Sequence, residues 1–240
     1  MVLGILLFLR PPCVKPTFIS QRFSMLNSLI IIAALALLGG LLYFAKKDNP
    51  AGVLLTKAPL SGLFILAAAL QPQTHRTYYF LLLAGLGLSL AGDICLVFSR
   101  RIVFLTGLIF FLLGHVFYSV AFFHLSQTKF WIWAVAAGAL IAGGWIYRGL
   151  KPHAGPLKVP VLLYILVISL MVCGAWSVAG DAALVRRGRF MVLSGAFLFY
   201  FSDIFVARNR FIKKEYLNRL VGLPLYYCGQ FLFAFSIGSL

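Results

Sequence analysis

The sequence predicts an all-α polytopic membrane bundle of eight transmembrane helices, and three observations carry that prediction. Hydrophobic residues make up 62% of the 240 positions and charged residues 11%; a soluble domain has about 45–50% and about 25%. The mean hydropathy is +0.99. The apolar residues fall in long unbroken runs, not in the roughly ten-residue alternating segments of a membrane β-barrel. A chain so apolar cannot hide its surface in one water-soluble core, so soluble, disordered and disulfide-scaffold classes are excluded.

The runs justify the helices in turn. They lie at 26–45, 52–71, 78–98, 102–125, 130–147, 159–180, 190–207 and 220–239, each close to the roughly 20 residues that span a bilayer. Short linkers make 26–240 one eight-helix membrane domain. Residues 1–25 read as an N-terminal tail or interfacial segment: Met1 to Leu9 is apolar but too short to span, and Arg10-Pro11-Pro12 stops it. No basic residue precedes that run, so a cleaved signal peptide is not expected. Small residues inside the runs (Gly39-Gly40, Gly85, Gly87, Gly143-Gly144) allow close helix packing.

Charge is lopsided, 21 Lys plus Arg against 5 Asp plus Glu, a net +16. The cations cluster between the apolar runs, which is the pattern of headgroup-facing flanks and not of a nucleic-acid surface. Eight of them fall on the N-terminal side of the bundle and twelve on the other, with Lys57 inside a run. The fuller side is expected in the cytoplasm. Cys13, Cys95, Cys173 and Cys228 show neither a CxxC pair nor metal-ligand spacing, so no disulfide and no metal are read from them.

The five acids are the informative charges. Asp48, Asp181 and Glu215 flank basic clusters and read as loop charges. Asp93 and Asp203 lie inside apolar runs, and an ionisable group at membrane depth is a functional candidate. Helices 3 and 7 run in the same direction. Asp93 lies five residues before Phe98 and Asp203 four before Ala207, about 7 Å and about 6 Å of helix rise. The two carboxylates are therefore expected at similar depth. A faint repeat accompanies them: Lys57-Ala58-Pro59 against Lys158-Val159-Pro160, and Gly85 to Asp93 against Gly195 to Asp203. Helices 1–4 and 5–8 read as two parallel four-helix copies.

Other polar groups are expected near that level: Lys57 on helix 2, His115 and Tyr118 on helix 4, Tyr226, Tyr227 and Gln230 on helix 8. Tyr226 and Gln230, four apart, share a face. Each has a plainer reading. His115 could simply bond a neighbouring helix, the tyrosines could belong to an interfacial belt, and Lys57 could snorkel to the headgroups. Two buried carboxylates can divide into general acid and general base, which suits acid-triggered hydrolysis. No GxSxG, HExxH or Gly-rich phosphate loop occurs. Asp93, His115 and Asp203 are too scattered to argue for a metal, and no cofactor is expected.

Taken in order, Lys57-Ala58-Pro59, Gly85 to Gly92-Asp93, Gly107, Gly114-His115-Val116-Phe117-Tyr118, Gly195 to Ser202-Asp203, Tyr226-Tyr227 and Gln230 resemble the lysoplasmalogenase (YhhN-like) family over roughly 26–239. The family often has Lys-Pro where this chain has Lys-Ala-Pro. The resemblance implies hydrolysis of the vinyl ether of lysoplasmenylethanolamine or lysoplasmenylcholine, giving a fatty aldehyde and the glycerophospho-base. One of Asp93 and Asp203 would supply the proton, and the other would stabilise the cation and activate water. His115, Tyr226 and Gln230 would orient water or headgroup. Lys57 and Arg208 would meet the phosphate.

The expected partners are a lysophospholipid substrate and membrane lipids, not nucleic acid. The expected location is the endoplasmic reticulum membrane in a eukaryote or the inner membrane in a bacterium. Two rivals stand beside this reading. A proton- or cation-coupled transporter would also use two buried Asp residues and a repeat. An intramembrane aspartyl protease would need Tyr-Asp and Gly-x-Gly-Asp, but Asp93 follows Leu-Ala-Gly and Asp203 follows Phe-Ser.

Overall fold

The computed structural model describes residues 18–98, 100–127 and 129–240, with side chains from Met25 onward. Eight α-helices follow one another: α1 (Phe18–Lys46), α2 (Pro50–Ala69), α3 (Arg76–Cys95), α4 (Arg101–Leu125), α5 (Ile132–Leu150), α6 (Lys158–Gly180), α7 (Arg186–Ala207) and α8 (Tyr216–Ser236). No strand occurs among the described residues. α1 begins at Phe18, earlier than the apolar run at 26 suggests. The remainder of the expected tail, 1–17, and Cys13 lie outside the described residues.

Seven of the helices are long and apolar enough to cross a bilayer, which makes the chain a multi-pass membrane protein. The exception is α5. It is the shortest of the eight at 19 residues and carries Trp133, Trp145, Tyr147 and Arg148, which dilute its hydropathy. An eighth crossing, expected from the sequence, is thus not matched by length and composition.

Local chemistry sets the helix ends. Asn49 caps α2 by accepting from the Gly52 amide at 3.1 Å, and Pro50 follows at the first helical position, where its missing N–H costs nothing. α7 runs into a single π-helical turn, Arg208–Ile212, before α8 starts. The three loop acids lie between helices. Asp48 sits at φ 47° in the α1–α2 turn, a left-handed conformation that Asp tolerates better than most residues. It pairs with Arg219 at 2.9 Å. Asp181 accepts from the Ala183 amide at 3.0 Å. Lys213, hydrogen-bonded to Glu215, holds that carboxyl below its usual range.

Packing is pairwise and recurs along the chain. α3 lies along α4 as α7 lies along α8; α1 packs on α2 as α5 on α6; α4 meets α6 as α8 meets α2. The two tightest pairs cross at glycines. A Cβ on Gly114 would sit 3.2 Å from the Gly85 carbonyl, and one on Gly229 would sit 2.9 Å from the Gly195 carbonyl and 3.3 Å from the Phe199 amide nitrogen. Backbone cannot swing aside, so Gly229→Ala is expected to lose about 1–3 kcal/mol. Gly39→Ala, where the Cβ meets open space, is the comparison. Thermal unfolding in detergent should show a clearly lower midpoint for the first, and equal midpoints would refute the close crossing.

Between these pairs lies an aromatic core in which Phe64, Tyr118, Phe122, Phe199, Tyr227 and Phe233 are fully buried. Outward-facing apolar side chains such as Leu55 and Ile102 are exposed, as helices surrounded by lipid require.

Candidate active site

A cavity of about 1000 Å³ opens among the C-terminal ends of α1, α3, α5 and α7 and the N-terminal ends of α2, α4, α6 and α8. That common end follows from helices alternating in direction. It is also why Asp93 on α3 and Asp203 on α7 line the same cavity, as their matched positions along parallel helices lead one to expect.

Asp93 is 1% exposed and fully engaged. α2 runs antiparallel to α3 and presents Lys57 and Ser61, one turn apart on one face. Lys57 Nζ lies 2.9 Å from Oδ1, and Nζ also donates to the Asp93 carbonyl at 3.3 Å. Ser61 Oγ donates to Oδ2 at 2.5 Å, and the Tyr226 phenol donates to the same oxygen at 2.7 Å.

The donors form two chains that end on this carboxylate. Gln230 donates through Nε2 to Tyr226 at 3.1 Å and accepts from Tyr118 at 2.9 Å. Tyr118 has spent its proton, so Ser89 donates to it at 3.2 Å. Tyr227 has its single proton between two acceptors, Ser61 Oγ at 3.1 Å and the Lys57 carbonyl at 3.5 Å. Lys57, Ser61 and Tyr226 all address Asp93 as donors, so the group acts as an acceptor, a carboxylate matched by one ammonium. Removing either charge from such a buried pair leaves the other uncompensated.

Asp203 is held differently. The Tyr164 phenol of α6 donates to Oδ2 at 2.7 Å. His115 Nε2 lies 3.7 Å from Oδ2 and bonds nothing. His115 Nδ1 lies 2.6 Å from the Phe111 carbonyl, which can only accept. The proton is therefore on Nδ1, and in the neutral ring Nε2 turns a lone pair toward Asp203. Phe199 packs edge-on against His115 at 4.6 Å and against Tyr226 at 5.2 Å, and so spaces the two acid environments. Oδ1 of Asp203 has no partner among the described residues, and the side chain is 16% exposed where it lines the cavity.

The family model for YhhN proteins matches residues 53–237. The chain belongs to the YhhN family. A human relative, lysoplasmalogenase TMEM86A, is 30% identical over 185 residues, which is 72% of this chain and 72% of that protein. No solved structure matches. The YhhN match spans every residue of both acid environments, from Lys57 to Gln230, and leaves α1 outside.

Not every candidate named from the sequence reaches the cavity of this YhhN chain. Asp93, Asp203, Lys57 and Tyr226 line it; His115, Tyr118, Tyr227 and Gln230 stand behind that wall. Lys57 is committed to Asp93 and does not extend to the surface. Arg208 turns away, 3.7 Å from Glu215. Two partners escaped sequence reasoning. Ser61 had a usable signal, four residues after Lys57. Tyr164 had none, because one phenol in an apolar helix reads as an ordinary core aromatic.

Proposed function

We propose that the chain is a lysoplasmalogenase that hydrolyses the vinyl ether of lysoplasmenylethanolamine or lysoplasmenylcholine. The observation that carries this reading is the unequal pair of carboxylates on one cavity: Asp93 saturated by donors and matched by Lys57, Asp203 with a free oxygen. Family membership and the human relative agree with it. The apolar wall takes the alkenyl chain.

Asp203, in its carboxylic acid form, gives its proton to the β-carbon of the vinyl ether, and an oxocarbenium ion forms at the α-carbon. Water adds there and returns a proton to Asp203. The hemiacetal then collapses to a fatty aldehyde and the free glycerol hydroxyl. Tyr226 spends its proton on Asp93 and keeps a lone pair that can hold the attacking water. Tyr164 and His115 orient the Asp203 carboxyl. The paired packing of the two halves supports descent from one four-helix unit, with Asp93 and Asp203 as the corresponding acids. The compartment would be the endoplasmic reticulum membrane in a eukaryote or the inner membrane in a bacterium.

The test uses purified chain in micelles of D2O buffer with an alkenyl lysophospholipid and its saturated alkyl analogue. The alkenyl substrate should yield aldehyde carrying one deuterium on the carbon beside the carbonyl, and the alkyl analogue should yield nothing. Absence of aldehyde would overturn the reading, and flux of a solute across proteoliposomes without product would favour a transporter.

A further inference from the structure

At its open end the cavity is rimmed by Asp48, Asn49, Asn209, Arg210, Lys214 and Arg219, three cations against one acid. Two of the cations are already matched: Arg219 lies 2.9 Å and Lys214 3.9 Å from Asp48. Arg210 has no carboxylate partner among the described residues. Its guanidinium instead lies over the Phe104 ring, 4.1 Å from the centroid. A ring contact of this kind takes none of the hydrogen-bond acceptors a guanidinium needs, and its N–H groups form a fork that fits a phosphate.

The loop that carries Arg210 is built to hold it there. The π-helical turn closes with the Lys213 amide donating to the Arg208 carbonyl at 2.9 Å. Asn209 Oδ1 accepts from the Glu215 amide at 3.2 Å, and Asn218 Nδ2 donates to the Lys213 carbonyl at 2.8 Å. One-turn π segments are rare and concentrate at functional sites. This one faces Arg208 toward Glu215 and Arg210 toward the cavity.

We propose that Arg210 is a phosphate-recognition site at the cavity mouth that takes the phosphodiester of a lysophospholipid whose chain enters the cavity. The inference rests on the lipid reading of the cavity given above. It does not rest on turnover. Lys57, the cation at the deep end of the cavity, is spent on Asp93, so the headgroup is read at the rim and not in the depth.

Binding of a saturated alkyl lysophosphocholine to the full chain in detergent, followed by calorimetry, isolates this step from catalysis. Arg210→Gln should weaken binding by about tenfold, the loss of one charge-assisted contact. Arg210→Lys, which keeps the charge and loses the fork, should fall between. A phosphate-free alkylglycerol should lose most of its disadvantage relative to the phosphodiester in Arg210→Gln. Equal losses for both ligands, or a larger loss in Arg208→Gln, would overturn the assignment. Displacement of the lipid by millimolar inorganic phosphate would assign the site to the free ion and overturn the lipid headgroup. A chain that binds in this pattern yet releases no aldehyde retains the phosphate site and loses the hydrolase reading.

Discussion

Asp203→Asn is expected to release aldehyde from lysoplasmalogen about a hundred- to ten-thousandfold more slowly than the parent chain, the range of a positioned general acid. The amide keeps the size of the carboxyl and can still accept from Tyr164, whose bond to Oδ2 spans 2.7 Å. What it lacks is an acidic proton for carbon. Protonating a vinyl carbon is the demanding step of this hydrolysis, and no other acid lines the cavity beside Asp203 except Asp93 at the deep end and Asp48 at the rim. Asp93 is already an anion bound by three side-chain donors, and Asp48 is bound by Arg219. The loss should therefore appear in kcat, with KM little changed, because the headgroup and chain contacts remain. Tyr164→Phe separates positioning from proton supply: it should slow turnover less and leave the deuterium in the aldehyde. Near-parent turnover by Asp203→Asn, with helicity and thermal midpoint retained, would show that the proton comes from elsewhere.

What the sequence made legible follows from which forces act locally. Apolar runs and basic breaks located all eight helices, because burial in lipid is decided run by run. The matched position of Asp93 and Asp203 could be counted, because helix rise is constant and both helices run the same way. Partnership could not be counted. Lys57 reads as a headgroup contact until the antiparallel approach of α2 and α3 sets it 2.9 Å from Asp93. Arg208 and Arg210 are two residues apart and equally basic in sequence. Two residues apart on a helical turn they point to opposite sides, so that one meets Glu215 and the other Phe104, and which side faces the cavity is set by tertiary packing. α5 marks the other limit, since its helix is real although its composition falls short of a spanning segment. Tyr164 joined the site through tertiary packing alone.

Lys57→Met should destabilise the folded chain more than any substitution at the rim. The ammonium lies 2.9 Å from a carboxylate that is 1% exposed within the helix bundle. Breaking such a pair by removing one partner costs about 3–5 kcal/mol, because the remaining charge is stranded. For a chain of this size that corresponds to a fall of roughly 10 °C in the thermal midpoint. The companion variant decides the cause. In Lys57→Met with Asp93→Asn no charge is stranded, Ser61 and Tyr226 can still donate to the amide oxygen, and the midpoint should recover most of the loss. A coupling of about 0.5–3 kcal/mol between the two sites is the signature of direct contact. Additive losses would show that Lys57 stabilises by packing its alkyl stem, and would remove the ion pair from the account of Asp93. If the double variant regains stability but not turnover, Asp93 serves the reaction as an anion and not only as the base of a polar network.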